Sequence, residues 1–359
     1  MLELLSSWYK KRFSDPHAVT LVFILVALSF LIYFFANILM PLLVAIVVAY
    51  LLERPVVALT KLNIPRTLAV VITLTVTALI CLLLFFGVLP SVWQQVITLT
   101  TELPDMLAKG QQFLMALPDK YPDYVSAAQI QGVTDNIKAY LISLGEGIVS
   151  QSFKSLVNLV ALMIYVILVP LLIFFFLKDK RQLIDHATRF IPNNRRLAAQ
   201  VWSEMNVQII NYIRGKVIEI VIVGGVSYIA FSILGLAYAT LLAVLVGLSV
   251  LIPFIGAAIV TVPVCLVGLF QWGFTAPFGY LMLCYAIIQA LDGNLLVPLL
   301  FSEAVNLHPT SIIVAVLLFG GMWGFWGVFF AIPLATLVKA VINAMSKHGP
   351  PEEKILPTS

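Results

Sequence analysis

Between Lys216 and Lys339 the chain carries no lysine or arginine. A stretch from Val217 to Val338 without one basic side chain cannot be a water-facing domain, because a soluble fold of that length needs charge over its surface. Across all 359 positions apolar residues make up 61% and charged residues 11%, against about 25% charged in ordinary soluble domains. The mean hydropathy of +1.05 agrees with hydrocarbon as the main solvent. There, every backbone N–H and C=O must be satisfied inside its own segment, which makes helix the default. The expected fold class is all-α: a polytopic integral membrane protein of about eight transmembrane helices, some broken or re-entrant, with an extramembrane helical arm.

Apolar runs long enough to be spans are Ala18–Ala36, Ile38–Leu52, Leu68–Leu89, Leu156–Leu177, Val217–Leu234, Leu241–Phe270, Phe278–Phe301 and Thr310–Val338. Ile38–Leu52 is short, and Asn37 and Pro41 at its start suggest a tight hairpin with the run before it. Leu241–Phe270 holds Gly247, Pro253, Gly256 and Pro263, so a broken or re-entrant helix is expected there. Residues 1–16 precede a long apolar run without a small-residue cleavage site, which reads as a start-transfer anchor.

Orientation follows the basic residues. Lys10, Lys11 and Arg12 precede the first run, and Arg54, Lys61 and Arg66 follow the second. Eight basic residues crowd Lys178–Lys216, whereas Pro90–Lys154 has four beside six acids. All basic-rich segments share one side if both termini are cytoplasmic in a bacterial inner membrane.

The larger loops keep helical periodicity. Val92, Val96, Leu99, Leu103 and Met106 recur at helical spacing, as do Ile130, Val133, Ile137, Tyr140 and Leu144 beyond Pro118 and Pro122. Two amphipathic helices should extend the third and fourth spans as an arm, each stripe needing the other helix or a neighbouring subunit as partner. Val201, Trp202, Met205, Ile209, Tyr212 and Ile213 line one face of a further helix, which either lies in the membrane interface or packs on its own protein. The organisation read from the chain is a terminal segment with three spans (1–90), the external arm (91–154), a fourth span (155–177), a basic loop with the interfacial helix (178–216), a carboxy-terminal bundle (217–342) and a tail (343–359).

Several function classes drop out. There is no HExxH, no GxSxG, no phosphate-binding glycine loop and no Cys/His cluster with metal spacing, so neither an enzyme, a cofactor nor a metal is expected. Cys81, Cys265 and Cys284 lie in apolar runs and read as packing residues. The net charge of +4 is spread over loops and gives no sign of nucleic-acid binding.

What remains is a small set of polar and backbone-breaking residues at membrane depth, where ionisable groups are costly and usually face a cavity or the bundle interior. Asp292 stands in IIQALDGNLLVP (Ile287–Pro298), with Gln289 before it and Asn294 after it, and with Gly293 and Pro298 loosening the helix. It either contacts a solute or ion or makes a helix–helix contact. Glu303 and His308 in SEAVNLHP (Ser302–Pro309) could relay protons, or sit in a loop where Pro309 opens the next helix and Asn306 or His308 caps it. Glu219 follows Lys216 by one turn at a membrane boundary and reads as a local ion pair. Pro253 and Gly256 in the broken run offer bent backbone as a gate, or small residues for close packing. The run GGMWGFWG (Gly320–Gly327) reads as packing and interface anchoring.

Four stretches carry a family resemblance: FFFLKDK (Phe174–Lys180), NYIRGK (Asn211–Lys216), LAVLVGLSVLIPFIGA (Leu242–Ala257) and ALDGNLLVPLLFSEAVNLHP with the glycine-rich helix after it (Ala290–Gly327). Together they resemble the autoinducer-2 exporter family, nearest its PerM-type members. The resemblance implies export of the autoinducer-2 signal or of a similar small solute, sodium/proton antiport being the alternative. It also implies a homo-oligomeric ring in the lipid bilayer, pentameric by the resemblance, and Asp292, Asn294, Glu303, His308 and Pro309 match family positions. The competing class is a non-transporting scaffold that binds partners through the external arm.

Overall fold

The structure is a computed structural model that describes residues 16–115, 132, 155–189, 196–253, 255–301 and 307–347. The described residues are helical throughout, apart from turns. Six helices among them are long and apolar enough to cross a membrane: Ile38–Lys61, Arg66–Met106, Asn206–Leu234, Ile255–Trp272, Ala276–Phe301 and Pro309–Phe329. The chain is a multi-pass, all-α membrane protein.

Helix α1 (Pro16–Lys61) joins the first two apolar runs without reversing. The expected hairpin is replaced by a kink at Phe35 (φ −108°, ψ 17°). Pro41 removes one main-chain hydrogen bond and crowds the turn before it, which bends a helix but does not force the chain back. After a turn in which Asn63 takes φ 62°, α2 (Arg66–Gly87) runs almost directly into α3 (Leu89–Met115). Helix α4 (Ser155–Lys178) returns and continues past Asp179 as α5 (Lys180–Arg189). Ala45, Ala49, Val56, Ala69, Val70, Ile173 and Leu177 pack where α1, α2 and α4 meet. The small side chains let the backbones approach, the usual device where hydrocarbon gives no hydrophobic drive to association.

Helix α3 is the first half of the expected arm, and its apolar stripe has a partner the sequence did not suggest. Val92, Val96, Leu99 and Met106 pack on the core of the carboxy-terminal bundle. The second arm helix lies outside the described residues.

Helix α6 (Arg196–Leu234) is the axis of that bundle. The interfacial reading gives way to packing on its own protein, because Tyr212 and Ile213 are buried and the helix continues directly into the span. The side chains of Val201, Trp202 and Met205 lie outside the described residues. From the far end of α6 the chain turns through Gly235–Tyr238 into α7 (Ala239–Ser249), breaks, and returns as α8 (Ile255–Trp272). Eleven residues make about 16 Å of helix, half of a hydrocarbon core of about 30 Å. The open ends of α7 and α8 are tied together: Gln271 Oε1 accepts from Ala237 N at 2.7 Å, and Gln271 Nε2 donates to Gly235 O at 2.8 Å. Helices α7 and α8 therefore form a re-entrant hairpin, as the prolines and glycines of Leu241–Phe270 implied.

Helix α9 (Ala276–Leu291) then runs antiparallel to α6, passes through a π-helical turn (Asp292–Leu296) and ends as α10 (Val297–Phe301). Helix α11 (Pro309–Phe329) is broken at Gly324 (φ 60°, ψ −136°) and is followed by α12 (Ala331–Lys347). The expected single span Thr310–Val338 is thus a second hairpin. A Cβ on Gly327 would lie 1.8 Å from the Phe319 carbonyl oxygen, whereas residues eight apart in a straight helix are about 12 Å apart along its axis. This hairpin packs on the amino-terminal half of α6, through Ile312, Ala315, Val316, Ala331 and Ile332 against Tyr212 and Ile213. The two hairpins thus pack on opposite halves of α6.

Candidate transport site

The tip of the first hairpin is built by backbone contact. A Cβ on Gly256 would fall 1.8 Å from the Ser249 carbonyl oxygen, so only glycine lets α8 start against the end of α7. Gly224 on α6 and Gly247 on α7 also meet closely, with a Cβ on Gly247 reaching Gly224 Cα at 3.0 Å. Pro253 lies in the turn itself. The break leaves main-chain carbonyls at membrane depth without helical partners, and such groups demand donors.

Lys216 supplies one. Its ammonium donates to the Val250 carbonyl at 2.7 Å and stands 2.8 Å from Glu219 Oε2, with side-chain exposures of only 5% and 2% for Lys216 and Glu219. The ammonium also lies 5.2 Å from the centre of the Phe301 ring. That ring sits where a Cβ on residue 215 would be, 2.5 Å from it, so Gly215 makes room for the aromatic wall. The pair read from sequence as a local contact at the membrane boundary is therefore deep in the protein and tied to the broken helix.

Asp292 completes the cluster. It opens the π-helical turn, where Gly293 and Pro298 had suggested loosened helix. Its Oδ1 is buried and has no hydrogen-bond partner among the described residues. The carboxylate feels the charge of Lys216, and Glu219 feels that of Asp292. One cation thus lies in the field of two carboxylates and pairs directly with Glu219 alone among the described residues, and a half-buried cluster of that composition is suited to holding one more positive charge or a polar solute. A buried hydroxyl, Ser227 Oγ on α6, likewise lacks a partner.

The other expected residues divide. Gln289 is half-buried one turn before Asp292, on the same helix. Asn294 is exposed and donates to the Ala290 carbonyl at 2.8 Å, and Pro298 is exposed in α10. His308 caps α11, its Nδ1 accepting from Thr310 N at 3.3 Å with Pro309 as the first helical residue. It is exposed, so the loop-and-cap alternative holds for it. Glu303 and Asn306 lie outside the described residues. Sequence reasoning missed the second tip: GGMWGFWG provides the fold-back itself, with Trp323 stacked on Phe319 at 5.8 Å. The signal was available in the four glycines Gly320, Gly321, Gly324 and Gly327, spaced too closely for a stable straight helix.

The open mouth of the first hairpin is held by α3. Gln95 Oε1 accepts from Leu241 N at 2.8 Å, and the Tyr238 hydroxyl donates to Glu102 Oε2 at 2.5 Å. Burial first, and then the Glu102 carboxylate, push the Tyr238 phenol up to about 12, so it stays a donor.

Apolar helices around two helical hairpins, with a charged cluster at the first tip, fit one class: a membrane transport protein. Comparison with known proteins places it more closely. The model of the family described as "AI-2E family transporter" matches residues 21–347. The protein named "Putative permease PerM" of Escherichia coli (strain K12) is 54% identical over 344 residues, covering 96% of this chain and 98% of that protein. The "Putative transport protein YueF" of Bacillus subtilis (strain 168) is 28% identical over 341 residues, covering 89% and 88%. The chain belongs to the AI-2E transporter family.

Proposed function

We propose that this protein is a secondary permease that exports a small polar solute of the autoinducer-2 type, passing it by the tip of the first hairpin and the π turn of α9. The observation that carries this reading is the buried Lys216–Glu219 pair bound to the Val250 carbonyl, with the unpartnered Asp292 Oδ1 beside it. A structural helix contact would satisfy its polar atoms, whereas a transport site keeps some free for cargo. Membership of the AI-2E family supports the solute class. Both termini on the cytoplasmic side of a bacterial inner membrane, and a homo-oligomeric ring, belong to the same proposal. The basic side chains at one end of the described bundle favour that orientation.

The test is efflux of autoinducer-2 from loaded proteoliposomes. Wild type should exceed protein-free vesicles, and Asp292→Asn should lower the rate at least tenfold while the exposed Leu62→Gln leaves it unchanged. No efflux by wild type removes the solute, and an unchanged rate in D292N removes Asp292 from the pathway. A second reading, sodium/proton antiport, is favoured by the excess of one carboxylate in the cluster. It requires sodium-driven alkalinisation or acidification of the vesicle lumen that disappears in D292N, with no organic solute present.

A further inference from the structure

A cavity of about 480 Å³ opens at the basic end of the bundle, where the α1–α2 turn meets the α4–α5 junction. Thr60, Arg66, Lys178, Asp179, Arg181 and Gln182 line it. The cations are not equally committed. Arg66 donates from Nε to the Leu177 carbonyl at 2.9 Å and stands 3.3 Å from Glu53, which Lys180 also reaches at 3.1 Å. Arg66 is therefore a structural cap on the end of α4, and Glu53 is already shared by two cations. Lys178 rests 5.7 Å from the centre of the Phe174 ring. Among the described residues neither Lys178 nor Arg181 has a carboxylate within 4.0 Å. The lining holds three cations against a single acid, Asp179, and among the described residues Lys178 and Arg181 are left without a carboxylate partner.

The position of the cavity points to what balances that surplus. It lies at the ends of α1 and α4 and at the start of α2, the depth at which lipid phosphates sit. One to two turns further into the membrane, Leu68 and Ile72 on α2 and Leu171 and Phe175 on α4 are exposed. Apolar flank below and unpaired cations above match an amphiphile with a phosphate head. Guanidinium and ammonium groups recognise phosphate oxygens by charge-assisted hydrogen bonds, and basic clusters beside spans attract anionic lipid. We propose that this cavity binds the phosphate headgroup of an anionic phospholipid, with Lys178 and Arg181 as its ligands and Thr60 and Gln182 as hydrogen-bonding partners. The lipid would bridge the α1–α2 turn to the α4–α5 junction on the basic side of the membrane.

Native mass spectrometry of the purified full chain, delipidated and then given equal amounts of phosphatidylglycerol and phosphatidylcholine, tests this. Wild type should retain phosphatidylglycerol over phosphatidylcholine several-fold, and Lys178→Gln/Arg181→Gln should bring the ratio close to one. Inorganic phosphate at millimolar concentration should leave the wild-type ratio unchanged. Equal retention by wild type, or an undiminished preference in the double variant, overturns the proposal. Displacement by inorganic phosphate also overturns it, since the ligand would then be a soluble anion. Should the double variant not fold, Arg181→Gln alone, at an exposed position, decides on the same ratio.

Discussion

Replacing Lys216 with methionine removes the ammonium and keeps most of the side-chain volume. At 2.8 Å, and with an effective dielectric constant of about 20, the attraction between Lys216 and Glu219 is roughly 6 kcal/mol. Desolvation of two charges cancels much of that, so the pair adds little net stability, but removing one partner strands the other. For a buried pair that penalty is about 3–5 kcal/mol. Here the lysine also donates to the Val250 carbonyl and lies within electrostatic reach of Asp292, so Lys216→Met belongs at the upper end. Glu219→Gln should cost less, because Lys216 keeps the Val250 carbonyl as its acceptor and stays in the field of Asp292. The double variant Lys216→Met/Glu219→Gln should be more stable than Lys216→Met alone, since the stranded carboxylate is gone. Equilibrium unfolding in mixed micelles, titrated with a denaturing detergent and followed by helical circular dichroism, measures all three. A Glu219→Gln variant as unstable as Lys216→Met, or a double variant costing the sum of the singles, would refute the picture of one cation shared by two acids.

Gly256→Ala should prevent the first tip from forming, because the new methyl meets the backbone oxygen of Ser249 at 1.8 Å; loss of monodisperse protein, or of efflux where protein survives, is the readout. Gly225→Ala is its control, with nothing within 4 Å of the added carbon, and should raise unfolding stability by about 0.5–1 kcal/mol through helix propensity. Gly215→Ala meets only the edge of the Phe301 ring, so the ring can tilt, and overpacking of about 1–3 kcal/mol is expected in the same unfolding titration. The raised Tyr238 phenol is protonated in the folded state up to about 12, against an unperturbed value near 10. Its contribution to stability is therefore complete below pH 10 and lost as pH rises through 12, a decline that Tyr238→Phe should abolish in a stability–pH series.

Much of this architecture was legible because hydrocarbon leaves few alternatives. Val217–Val338 without a basic residue had to be membrane-embedded, and Pro253 with Gly256 had to interrupt a helix. Depth was harder to read. Lys216 follows the polar face of Asn211 and Arg214, so its place in the sequence suggested a boundary, while only the third dimension brings the α7–α8 tip down to meet it. Pro41 misled in the opposite sense, because proline in a helix can kink as well as reverse, and the choice depends on packing against α2 and α4. The glycines of GGMWGFWG were read as packing for the same reason: a fold-back and a close helix crossing call for the same residue.

The two hairpins are coupled through one short piece of α6. Lys216 donates to the Val250 carbonyl in the first tip, and Tyr212, one turn earlier on the same helix, donates its buried hydroxyl to the Phe329 carbonyl in the returning limb of the second at 3.0 Å. Ile252 of the first tip also packs on the Tyr212–Phe301 cluster that holds the second. Each carbonyl is freed by a break in its own helix, and each is satisfied by a side chain that no local sequence rule would assign to it. Withdrawing either tip leaves a buried oxygen unpaired, at a cost of about 1–3 kcal/mol, unless a solute or water group replaces the donor. Polar cargo bound at the first tip can supply that replacement, so binding at the charged cluster weakens the hold of α6 on one hairpin without disturbing the apolar packing of the other.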